Sequence, residues 1–76
     1  MLVNYMKQIN TDLETAQIRL QAAELITERA YDKAVSDRLE VSKINTIAHR
    51  LAMITNSQKE IDKAKDFLLL AIKDLE

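Results

Sequence analysis

The sequence predicts an all-α fold, either an antiparallel bundle of three helices or a long helical hairpin, with coiled-coil-like packing. Three observations predict it. Between Leu2 and Ala34 apolar residues return at alternating three- and four-residue steps (Leu2, Met6, Ile9, Leu13, Ala16, Leu20, Ala23, Ala30 and Ala34), with only Thr27 interrupting. Glycine and proline are absent from all 76 residues, so no position carries a strong helix breaker. Two short polar clusters, Ser36-Asp37 and Thr55-Asn56-Ser57, offer the capping chemistry that can end one helix and start another.

The first helix follows the seam, over about residues 3–35. A capping-box pattern at Thr11-Asp12-Leu13-Glu14 could start it later, but the apolar seam runs through that stretch unbroken. At Ser36-Asp37 the seam ends, a short polar side chain can accept a backbone N–H, and Asp37 with Glu40 puts negative charge in the first turn of a second helix over about 37–55. Ser57-Gln58-Lys59-Glu60 matches a capping box and starts a third helix over about 58–75. If that box is not used, helices 2 and 3 fuse into one rod, and two nearly equal arms of about 50 to 57 Å form a hairpin. Residues 1–76 read as a single helical domain with no linker, low-complexity segment or convincing internal repeat.

Composition narrows the function classes. Hydrophobic residues make up 47% and charged residues 30%, a globular balance too apolar for disorder. Eleven Lys and Arg against twelve Asp and Glu leave a net charge of -1, which supplies no long-range pull toward phosphate or anionic lipid. Cysteine is absent, which removes disulfides and thiolate metal sites and points to a cytoplasmic setting. The N-terminus has no basic stretch followed by a long apolar run, so no secretory signal is expected. The longest apolar run, Phe67 to Ile72, is far short of the roughly 20 residues that span a bilayer. A soluble protein with no membrane partner is expected.

The apolar residues outside the seam are the informative ones. At about 100° per residue, Ile18, Ala22 and Leu25 form a stripe of their own nearly opposite Leu13, Leu20 and Ala23, with Ile26 at its flank. In the third segment Ile61, Ala64, Leu68, Ala71 and Leu75 make one clean stripe, yet Phe67, Leu69 and Leu70 carry apolar surface around the whole circumference. One helix of a small bundle cannot bury all its sides, so Ile18, Ala22, Leu25, Ile26, Phe67, Leu69 and Leu70 are the expected protein-binding residues. In the second segment Ile44, Ile47, Ala48, Leu51, Ala52 and Ile54 read as ordinary core, with Met53 opposite them a minor contact candidate.

Motifs for chemistry are missing. His49, the only histidine, has Asn45 and Met53 at i±4 instead of carboxylates, so no metal site is expected. Without glycine there is no phosphate-cradling loop, and no cofactor is expected. Glu28-Arg29 and Asp37-Arg38 superficially resemble the charged helix of all-helical chorismate mutases. That family needs a basic residue near the start of its long helix, where this chain has Lys7 alone before Arg19. Arg29, Lys33, Arg38, Lys43 and Arg50 are interleaved with Glu28, Asp32, Asp37 and Glu40, which cancels the field a nucleic-acid surface needs.

The expectation is therefore a non-enzymatic protein-protein interaction module: an adaptor, co-chaperone or inhibitor of bacterial or phage type. It either forms a homodimer or docks a partner amphipathic helix. A small DNA-binding regulator is the alternative, and a chorismate-mutase-type enzyme a more distant one.

Overall fold

In the computed structural model, which describes all 76 residues, two helices of 35 residues each, α1 (Leu2–Ser36) and α2 (Val41–Leu75), lie antiparallel and joined by residues 37–40. There is no third helix, so the bundle of three is corrected to the hairpin. The rod is 56 Å long and 14 × 11 Å across at the Cα level, which matches arms of 35 residues at about 1.5 Å each.

The break expected at residues 55–57 is absent for a local reason. The Ser57 hydroxyl donates to the Met53 carbonyl at 2.9 Å and the Thr55 hydroxyl to the Leu51 carbonyl at 3.1 Å, each one turn back along an uninterrupted helix. Hydroxyls satisfied in this way cap nothing. Thr11 does the same toward Lys7, which removes the late start for α1 and leaves its seam continuous. With no residue demanding a non-helical dihedral, continuing the helix keeps every backbone group bonded, whereas a break would leave eight without intrahelical partners.

The turn sits later than the Ser36-Asp37 capping pattern places it. Asp37 closes α1 instead of opening α2, its N–H donating to the Lys33 carbonyl, and Glu40 stands at the start of α2 with no side-chain cap bond. Arg38 N–H donates to Val35 O at 3.1 Å and Leu39 N–H to Ala34 O at 3.0 Å, the paired bonds of a Schellman ending. That motif puts Arg38 in the left-handed region at φ 55, where glycine normally sits. A side chain with a Cβ is disfavoured there by roughly 1–2 kcal/mol. Arg38→Gly should therefore stabilise the chain by about 0.5–1 kcal/mol after allowing for the extra freedom of glycine in the unfolded state. A urea midpoint that moves up at fixed protein concentration checks this.

Half-buried positions trace the seam between the helices: Met6, Leu13, Leu20, Thr27 and then buried Ala34 on α1, and Ile47, Ile54, Ile61 and Leu68 on α2. Antiparallel register is fixed by contacts along the whole rod. Lys7 Nζ lies 2.8 Å from Glu76, Gln17 bonds Asp62, and Gln58 donates to Glu24 at 2.9 Å. Only Ala34 beside the turn and Ile72 near the open end are buried, at 3% and 6% exposure. Two helices have one line of contact, so most apolar side chains have a neighbour on one flank and none on the other.

Asn10 sits in this seam with its Oδ1 buried and without a hydrogen-bond partner. A lone buried amide oxygen weakens a seam while helping to fix its register. Asn10→Leu should raise stability by about 1–2 kcal/mol, read as a higher denaturant midpoint.

Candidate functional site

Two helices side by side present two broad sides, and in this chain they differ chemically. The difference begins in the α1 seam, which is wider than α2 can cover. Leu13, Leu20 and Ala34 point toward α2, but Leu2, Ile9, Ala16, Ala23 and Ala30, one every seven residues, lie to one side of that line. On α2 the column Ile47, Ile54, Ile61, Leu68 and Leu75 leans to the same side, followed outward by Ala64, Ala71 and Met53. A shallow groove between the helices confirms the placement: it is lined by Leu20 from α1 with Arg50, Met53, Ile54 and Ser57 from α2. None of these residues is buried, and Leu2, Ala30, Met53, Ala64 and Leu75 are exposed.

The opposite broad side is polar through its middle. Gln17 and Glu24 occupy the flank of α1 where an apolar seam residue would complete the contact, and they face Thr55, Gln58, Asp62 and Lys65 of α2. Thr55 Oγ1 shares its one proton between Leu51 O and Glu24 Oε2, 3.2 Å away, Gln58 Nε2 donates to the same carboxylate, Gln17 Nε2 donates to Asp62, and Lys65 Nζ donates to Gln17 Oε1 at 3.0 Å. Glu14 stands 4.0 Å from Lys65 and closes the network. Toward the turn this side becomes a groove lined by Tyr31, Ala48, Leu51, Ala52, Thr55 and Asn56. The hairpin thus has one side that is polar and hydrogen-bonded across the helices through its middle, and an apolar side with no cover.

The seven residues expected to bind protein are all exposed, but they do not form one patch. Ile18, Ala22 and Leu25 lie along the back of α1, facing away from α2, with Ile18 at 66% exposure. Leu70 lies on the back of α2, and Leu69 faces the polar side near the open end, where it lines a groove with Asp66, Leu70 and Lys73. Ile26 and Phe67 border the apolar side, Phe67 at 76% exposure.

Apart from Met53, the members of the apolar side read from sequence as ordinary core, because a bundle of three would cover them. The available signal was the double column of α1, with Leu2, Ile9, Ala16 and Ala23 beside Met6, Leu13 and Leu20. One partner helix covers one seam; two adjacent columns call for two neighbours.

Nothing else on the surface converges into a site. All four arginines are exposed, His49 is exposed beside equally exposed Asn45, and no three His, Asp or Glu side chains come together to hold a metal ion. Neither helix is long and apolar enough to cross a membrane. No family model matches the chain, and no curated protein or solved structure matches it either.

Proposed function

We propose that this protein is a non-enzymatic interaction module of the adaptor, co-chaperone or inhibitor kind, and that the apolar side of the hairpin is its docking surface. One observation carries the reading: a chain that is 47% hydrophobic buries only two of its 76 residues. Its accessible surface is 5985 Å², whereas a compact monomer of its 8.7 kDa mass exposes about 4,700 Å². Part of that difference is the elongated shape; exposed apolar side chains lie on several faces of the rod, and on one side they adjoin the uncovered columns of α1 and α2. Apolar columns left without cover along one side of a helical rod suit contact with another protein.

The geometry suits a helical guest. Ile9, Ala16 and Ala23 on α1 and Ile54, Ile61 and Leu68 on α2 form two parallel columns flanking Leu13 and Leu20, a seat into which the apolar stripe of an amphipathic helix fits.

The experiment is a fluorescence-anisotropy titration of the labelled protein with an amphipathic peptide carrying a leucine-alanine heptad, run beside a titration with unlabelled protein. Saturable binding of either one, abolished by Met53→Glu with Ala64→Glu, is the expected result. If neither binds and the chain remains a folded monomer, the apolar side is not a docking surface and the reading fails.

A further inference from the structure

We propose that the cover of the apolar side is a second copy of this chain, turned about a twofold axis parallel to the long axis of the hairpin, so that two chains make one four-helix bundle. The proposal rests on the reading of that side as a docking surface and names its occupant.

Area is the first argument. The excess over a compact monomer is about 1,300 Å², part of it due to shape; two chains hiding half of it each would bury about 1,300 Å² in total, inside the range of specific protein interfaces. A single guest helix covers less than two ridges 56 Å long offer, whereas a second hairpin is as long and as wide as the surface it meets.

Charge is the second. Antiparallel register sets Arg19 of α1 level with Glu60 of α2, and the two stand at opposite borders of the apolar side, in the columns of Ile26 and of Phe67. They make no ion pair with each other within the chain; Glu60 has only a 3.4 Å contact to Lys63 and is still largely exposed, and Arg19 has no carboxylate partner. The proposed axis lays α1 of one chain over α2 of the other at unchanged height. Each Arg19 then stands over the other copy's Glu60, twice, by symmetry. One turn pair nearer the loop, Ile26 and Met53 are also level with each other, so the same operation stacks apolar on apolar. A twofold axis perpendicular to the rod would instead bring the two Arg19 side chains together. Every neighbouring helix in the proposed bundle is antiparallel, the arrangement of up-and-down four-helix bundles.

The test uses the intact chain. Light scattering behind a sizing column should return twice the 8.7 kDa chain mass, with a thermal midpoint that rises with protein concentration. Arg19→Glu and Glu60→Arg, each on its own, should weaken self-association by about tenfold, because two attractive pairs become two repulsive ones. Mixing the two variants should restore a pair of one chain of each kind, since each supplies the charge the other lacks. Circular dichroism at matched concentration separates loss of pairing from loss of folding. A monomer that binds the heptad peptide overturns the second-copy assignment and leaves the docking reading standing; a monomer that binds neither overturns both. A mass other than twice the chain, or a mixture no better associated than its components, overturns the proposed arrangement.

Discussion

Leu20→Asp should abolish helicity at micromolar concentration, while Ile18→Asp, the same kind of change two positions away, should leave the far-ultraviolet spectrum and the denaturant midpoint almost unmoved. Leu20 is half-buried between the helices and lines the grooves on the apolar side with Ile54 and Met53 on one flank and Ala16 on the other. Removing a large aliphatic group from such a place and leaving a carboxylate with no partner costs about 3 kcal/mol or more. A domain of this size has only about 3–5 kcal/mol of net stability to lose. Ile18, by contrast, is 66% exposed on the back of α1, and substitutions at such sites usually stay within about 0.5 kcal/mol. Equal losses at both positions, read by circular dichroism during a urea titration, would mean that the back of α1 is covered as well and that the two sides of the helix do not differ as described.

The same pair of residues shows what the sequence made legible. Apolar periodicity alone places Leu20 inward and Ile18 outward, and that separation holds because helix geometry is local: 100° per residue needs no knowledge of the partner. Helix identity and the length of α1 follow for the same reason. The number of helices did not follow, because a capping box and a run of back-bonded hydroxyls use the same residue types. Ser57 could bond forward to an amide at a helix start or backward to the Met53 carbonyl, and it does the latter. Only the reach of α1 decides between them, since a 35-residue α2 matches its 35-residue partner end to end. The uncovered apolar side was the least legible part. Ala16, Ala23, Ile61 and Ala64 are ordinary core residues in a bundle of three and an uncovered surface in a hairpin, so their role turns on topology and not on residue type. Polar residues in the seam carried a clue: Gln17, Glu24, Gln58 and Lys65 recur at seam spacing on one flank, where a chain packed on all sides would place aliphatic groups.

Those four residues keep one flank of the seam polar. Replacing them together, Gln17→Leu, Glu24→Leu, Gln58→Leu and Lys65→Leu, completes the apolar seam between α1 and α2. Each half-buried leucine contributes roughly 1 kcal/mol, and the hydrogen bonds given up among Gln17, Glu24, Thr55, Gln58, Asp62 and Lys65 take back part of it. Thr55, Asp62 and Glu14 remain within reach of water, so no buried group is orphaned. A net gain of about 2 kcal/mol is expected, or about 8–16 °C in thermal midpoint for a chain of this length. The gain comes with a loss of sidedness. With both broad sides apolar, nothing limits the assembly to one interface, and the mass by light scattering should climb past twice the chain mass toward open-ended association. Higher stability with an unchanged mass would show that the polar network serves the hairpin seam alone, and that partner choice is held by the Arg19 and Glu60 charges instead. Higher stability with a growing, polydisperse mass would assign to the network the role its position implies: keeping one side of a two-sided rod wet so that only the other is available for docking.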